Sequence, residues 1–134
     1  KLKLINDWDT NIFNYFEDMD LCLRFRLKGF EIIKIRNAEV DHDAFSSHDK
    51  NFSQKMDFSR NWHHSWSRFY FLKKHTTKIN AYKYGLNFFI KSIFKSIFYI
   101  FFKKSKAITH FAKAYGTLFS ILNLQPTYRP KIKT

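Results

Sequence analysis

The stretch 15–42, YFEDMDLCLRFRLKGFEIIKIRNAEVDH, constrains the fold more than any other part of the chain. It begins with carboxylates at a position where a helix can start, because side-chain oxygens there accept from unpaired backbone N–H groups and complement the helix dipole. Gly29 is a natural C-cap for that helix. The isoleucine-rich run 30–35 is too short for an independent helix and is predicted as a strand. The order of helix, glycine, strand and polar loop predicts an α/β unit.

These residues resemble the C-terminal half of the catalytic domain of family 2 glycosyltransferases, GT-A type enzymes that include rhamnosyl- and galactofuranosyltransferases. The resemblance covers about half of the chain and is carried by 15–24 (YFEDMDLCLR), 28–30 (KGF), 38–42 (AEVDH) and, more loosely, 60–75. It implies an α/β fragment. Residues 1–78 would be the acceptor side of a GT-A domain, and residues 79–134 a basic, amphipathic helical segment close to a membrane.

The resemblance also implies roles for individual residues. In that family the aspartate of the Glu-Asp pair is the catalytic base, which places that role on Asp18, with Glu17 orienting the acceptor. A carboxylate there takes the proton of the acceptor hydroxyl as its oxygen attacks the anomeric carbon. A divalent metal, Mg or Mn, offsets the charge on the leaving nucleotide diphosphate, and His42 is implied as a ligand to it. The implied acceptor-binding residues are Asp20, Arg24 and Trp66.

Simpler explanations of the same residues remain open. Acidic side chains at a helix start are more often caps than catalysts. His42 lies in a polar loop, 36–43, that is also typical of solvated surface. The nucleotide-binding half of such an enzyme, with a strand leading into an Asp-x-Asp motif, is not found in the sequence. We therefore expect a partial transferase that needs that half, and its share of the metal site, from elsewhere, for example from a separate polypeptide.

Charge divides the chain into two unequal parts. All 11 acidic residues lie at or before Asp57, whereas residues 67–134 hold 14 Lys and Arg and no acid. An aromatic content of 20% argues against disorder. The single cysteine, Cys22, excludes an internal disulfide and favours a reducing compartment.

The run 85–104, GLNFFIKSIFKSIFYIFFKK, predicts an amphipathic helix with one narrow polar face and a broad apolar one. Lys91 and Lys95 stand at its centre, where each costs about 2.5–3.5 kcal/mol at mid-bilayer, so an interfacial helix is favoured over a spanning one. Docking of this helix on a missing domain is the alternative. A second helix, 107–122, is predicted to form a hairpin with it. The membrane-contacting cations are expected to be Lys91, Lys95, Lys103 and Lys104.

Together these features predict a partial, inverting glycosyltransferase at the inner face of the cytoplasmic membrane. Its expected substrates are a nucleotide-sugar donor and a polyprenyl-linked glycan acceptor of bacterial surface polysaccharide synthesis. The alternative is a non-enzymatic basic module that binds anionic membrane or nucleic acid, since basic residues interleaved with aromatic ones can hold phosphate and stack bases. No recognised nucleic-acid motif is present, which favours the membrane.

Overall fold

A computed structural model describes residues 2–39, 41 and 53–130. A 3₁₀ turn at Leu2–Ile5 precedes the helices of this part of the chain, which are α1 (Glu17–Leu27), α2 (Ser53–His75), α3 (Lys78–Ile100) and α4 (Lys104–Ile121). Helix α4 packs along both α2 and α3, so these three long helices form a bundle. The boundary predicted between 1–78 and 79–134 falls at the turn between α2 and α3, and that division stays a prediction.

The predicted α/β fold is wrong, because the described residues contain four α-helices and no strand. The run 30–35, predicted as a strand, has irregular backbone. A strand needs a neighbour to receive its N–H and C=O groups, and no other strand is present in the described ranges. The isoleucines that suggested burial are instead exposed at Ile32, Ile33 and Ile35.

Helix α1 ends as its sequence predicts. Gly29 takes the left-handed conformation with φ 82°, and its N–H donates to the carbonyl of Arg26, while the Phe30 N–H donates to the carbonyl of Phe25. The rings of Phe25 and Phe30 lie 5.6 Å apart, edge to face. This pairing of two backbone hydrogen bonds with an apolar contact is the Schellman motif.

The core lies between α2 and α4. Trp62 is fully buried and Trp66 is 3% exposed, and the indole Nε1 of Trp66 donates to the carbonyl of Leu124 over 2.8 Å. Opposite them α4 presents small residues, including Ala112, and Gly116 lies directly against the backbone of Trp62. Large side chains on one helix therefore fill the space left by small side chains on the other.

Helix α3 packs on its small residues and turns its large apolar ones outward. Its buried residues are Ala81, Gly85, Ser92 and Ser96, and the Ser96 hydroxyl donates to the carbonyl of Ala107 on α4 over 3.0 Å. The predicted hairpin of α3 and α4 is confirmed. We call the exposed side the outer apolar face of α3; it consists of Leu86, Ile90, Phe94, Ile97, Phe98 and Phe101.

Candidate functional site

Asp20 fixes α1 to the C-terminal end of α2. Its carboxylate is fully buried, with Oδ1 2.8 Å from Lys74 Nζ and 2.7 Å from His75 Nε2, and Oδ2 2.8 Å from Arg24 Nε. Burial by itself would raise the pKa of Asp20, but the hydrogen bonds from Lys74, His75 and Arg24 lower it. Both oxygens of this predicted acceptor-binding residue are therefore engaged within the chain.

Asp9 forms the second half of the same polar cluster. Its Oδ2 lies 2.7 Å from Lys74 Nζ and accepts from the Tyr70 hydroxyl over 3.0 Å. Against the effect of burial, hydrogen bonds from Lys74, Asn11 and Tyr70 lower the pKa of Asp9 to about 2. Burial and the carboxylate of Asp9 raise the pKa of Tyr70 to about 12. Lys74 thus joins two carboxylates that are distant in sequence.

The turn that leads into α1 is strained. Tyr15 and Phe16 have φ values of 65° and 68°, and the left-handed region is disfavoured for bulky side chains. Their rings pack against His64, with centroids 5.5 and 5.3 Å away, and Ser67 Oγ donates to the carbonyl of Asn14 over 2.7 Å. Contacts with α2 therefore hold a conformation that costs about 1–3 kcal/mol per residue, a condition that recurs at functional sites.

Glu17 and Asp18, the predicted catalytic pair, follow this strained turn and differ in their exposure to solvent. Asp18 is exposed, and its Oδ1 accepts from the Met19 N–H over 2.8 Å. Glu17 is half-buried, and its Oε2 is buried without a hydrogen-bond partner in the described ranges. A buried acceptor left unpaired is costly, and of this pair the carboxylate of Asp18 is the one more open to a ligand from solvent.

The remaining predicted site residues are placed apart from that turn or within the fold. Arg24 binds Asp20 and also donates to the carbonyl of Ile5, while Trp66 belongs to the core. His42, the expected metal ligand, lies outside the described residues. Those that are described contain no group of three His, Cys, Asp or Glu side chains that could hold a metal ion. The structure thus brings Asp20 and Arg24 together as a structural ion pair.

Sequence reasoning missed the partners of Asp20. Lys74 and His75 come more than fifty residues after it, at the C-terminal end of α2. Only the tertiary contact between α1 and the end of α2 brings them together. The one available signal is that three basic residues, Lys73, Lys74 and His75, close α2 in a chain whose acids all lie before them.

The second candidate surface is on the α3–α4 hairpin. Phe94 is 68% exposed and Phe101 is 80% exposed, and the four predicted lysines, Lys91, Lys95, Lys103 and Lys104, are all exposed as well. By helical geometry Lys91 and Lys95 run along one edge of the outer apolar face. At the end of the hairpin a mainly apolar cleft of about 500 Å³ opens between Ile100, Ile108 and Phe111.

In the described ranges, no helix combines the length and apolarity that crossing a membrane requires. Helix α3 has the length, but Lys91 and Lys95 interrupt its apolar sequence.

The geometry defines a small helical bundle with an exposed apolar face and a separate, strained acidic turn. No family model, no curated protein and no solved structure matches this chain. The expected membership of the family 2 glycosyltransferases is therefore wrong on these comparisons, and the helical fold disagrees with a GT-A domain. The residues must be interpreted from their own geometry.

Proposed function

We propose that this chain binds the surface of an anionic membrane through the outer apolar face of α3. The single observation that supports this most is that α3 buries alanine, glycine and serine while its C-terminal half, from Ile90 onward, exposes phenylalanine and isoleucine. Monomeric soluble proteins rarely keep a contiguous apolar surface of this kind in water. Small residues at the helix contact and large apolar ones outside are also the arrangement used where lipid is the surrounding medium.

The charges support an interfacial position. Lys91 and Lys95 border the apolar face, and Lys103 and Lys104 stand at its end. In an interfacial helix these ammonium groups stay in water near the lipid phosphates while the phenylalanines enter the boundary below them. Each Lys near an anionic surface contributes about 1 kcal/mol, screened by salt. If α3 spanned the bilayer instead, the charges of Lys91 and Lys95 would lie in hydrocarbon.

Flotation with vesicles tests this proposal. In Phe94→Ser/Phe98→Ser we expect the affinity for phosphatidylcholine vesicles containing phosphatidylglycerol to fall about thirtyfold, which corresponds to about 2 kcal/mol of lost apolar burial. The matched control, Ile33→Ser/Ile35→Ser, changes two equally exposed apolar residues outside the hairpin and should bind as the parent does. Equal binding of both variants would contradict the proposal. Salt-sensitive RNA binding without vesicle binding would favour the nucleic-acid alternative.

A second candidate function is sugar transfer to a membrane-linked acceptor, with Asp18 as the general base. It is supported by the strained turn at Tyr15 and Phe16, which leads directly into the exposed carboxylate of Asp18. In such a step Asp18 would accept the proton of the acceptor hydroxyl as that oxygen attacks the anomeric carbon of the donor, and the bond from that carbon to the diphosphate oxygen would break, so that the nucleoside diphosphate leaves. The nucleotide-sugar donor, its binding half and the divalent metal are parts of this proposal that must come from outside the described residues.

The test of this role compares cell membranes from a host expressing the full chain with those expressing Asp18→Asn, using radiolabelled nucleotide-sugars and endogenous lipid-linked glycans. We expect the variant to lose turnover by about 100-fold or more, the contribution of a general base, with its vesicle binding unchanged. Asp7→Asn, at an exposed carboxylate outside the turn, is the control and should keep its activity. Retained turnover in Asp18→Asn would remove this carboxylate from the mechanism.

A further inference from the structure

A group of basic side chains from two helices lies on one flank of the hairpin. We call it the cationic furrow; it consists of Lys95 on α3, and Lys106, His110 and Lys113 on α4. The ring of Tyr99 belongs to the same flank. The imidazole of His110 stacks on Tyr99 with centroids 5.4 Å apart and an interplanar angle of 7°, and Lys106 Nζ lies 5.2 Å from the same tyrosine centroid.

Among the described residues, no carboxylate forms an ion pair with these side chains. Residues 67–134 contain no Asp or Glu, and the carboxylates of the described ranges that form ion pairs, Asp9, Asp20 and Asp57, bind Lys74, Arg24, His75 and Arg60 instead. Burial and the nearby charge of Lys95 lower the pKa of the half-buried Lys113. Burial and the charges of Lys113, Lys95 and Lys106 lower the pKa of His110. Mutual repulsion of this kind lowers the stability of the fold.

We propose that the cationic furrow binds the phosphate group of a membrane lipid headgroup. Three lysines and a histidine on one flank, close enough that their charges lower the pKa values of His110 and Lys113, suit a group that carries up to two negative charges on three oxygens. The furrow is also well positioned for this ligand, because Lys95 belongs both to the furrow and to the edge of the outer apolar face. When that face enters the membrane boundary, the furrow lies at the depth of the phosphates. This inference rests on the membrane binding proposed above and names its ligand.

The test uses the full chain with vesicles of phosphatidylcholine and phosphatidic acid, which carries a phosphomonoester, and with phosphatidylserine vesicles matched in surface charge. We expect the protein to bind the phosphatidic acid vesicles more tightly than the phosphatidylserine vesicles. Lys113→Met should weaken that binding about fivefold and raise the melting temperature, because it removes a repelled cation while keeping the apolar stem. The control Lys34→Met removes one exposed charge from the segment after α1 and should change neither quantity.

Free inorganic pyrophosphate, titrated without vesicles, separates this inference from the proposed function. We expect it to bind weakly and to raise the pKa of His110 in NMR titrations, since an added negative charge favours the imidazolium. Pyrophosphate binding without any vesicle binding would overturn the lipid as the source of the phosphate. Equal affinities of Lys113→Met and the parent for both phosphatidic acid and pyrophosphate would overturn the furrow as a phosphate site.

Discussion

Asp18 and Asp20 are two residues apart on the first turn of one helix and have opposite roles in the structure. Asp18 is exposed, whereas Asp20 is fully buried among Arg24, Lys74 and His75. Successive positions on a helix point in different directions, and position 20 faces the end of α2. The acidic motif therefore divides into a residue that holds the fold and a residue that is available to a ligand.

The carboxylates of Asp9 and Asp20 make the free energy of unfolding depend on pH. The folded-state pKa of Asp9 is about 2, below the ordinary value of about 3.9, and that of Asp20 is lowered as well. A depressed carboxylate contributes stability that is fully present above its unfolded-state pKa and is lost as pH falls toward its folded-state pKa. The lowered pKa values of His63, His64 and His110 act in the same direction at higher pH, because the unfolded chain binds protons there that the folded chain does not. We therefore expect the free energy of unfolding, measured with urea, to decrease as pH falls below about 7 and to fall further between about pH 4 and 2.

Asp20→Asn checks which carboxylate carries this effect. Because it removes the buried counter-charge of Arg24 and one of the two counter-charges of Lys74, it should destabilise the fold by about 3 kcal/mol at pH 7. The control Asp57→Asn removes an exposed surface ion pair with Arg60 and should cost less than about 1 kcal/mol. Equal losses of unfolding free energy in the two variants would contradict the structural role of Asp20.

At the scale of the element, the packing of α2 against α4 depends on close approach of their backbones. Gly116 stands in the middle of α4, where glycine is a poor helix former, and a methyl group added there would overlap the carbonyl of Trp62. Helix propensity thus favours alanine at this position, whereas packing against Trp62 favours glycine. The overlap involves backbone, which cannot move aside as a side chain can.

We therefore expect Gly116→Ala to destabilise the protein by about 1–3 kcal/mol, the cost of overpacking, although propensity alone favours alanine by about 1 kcal/mol. Thermal and urea unfolding measure this difference. Gly85→Ala is the comparison, because its added methyl group meets the ring of Phe69, which can rotate, and the loss should be smaller. A stabilised Gly116→Ala would show that α2 and α4 are further apart than described.

At the scale of the whole molecule, the two candidate functions occupy different parts of the bundle. The strained acidic turn lies where α1 meets α2, and the outer apolar face and the cationic furrow lie on the α3–α4 hairpin. All of the acidic residues precede the hairpin, so an anionic membrane would attract the hairpin and repel the acidic turn. Membrane binding would then orient the molecule with Asp18 outside the apolar boundary, where a glycan acceptor on a lipid carrier could reach it.

Sequence alone determined the features that depend on local residues. The αL glycine that ends α1 and the α3–α4 hairpin follow from one glycine and from helical spacing. The amphipathic pattern of α3 also predicted its apolar side, because period 3.6 is a property of the single helix.

Tertiary structure alone decided everything that depends on a distant partner. The run 30–35 has strand composition, but no neighbouring strand in the described ranges pairs with it, and a strand exists only through such pairing. Likewise Asp20 contacts Lys74 and His75, and the charge of Lys95 acts on Lys113, only because separate helices pack together. Even the outward direction of the phenylalanines of α3 depended on Gly85, Ser92 and Ser96, whose small size lets α3 approach its neighbours closely on that side.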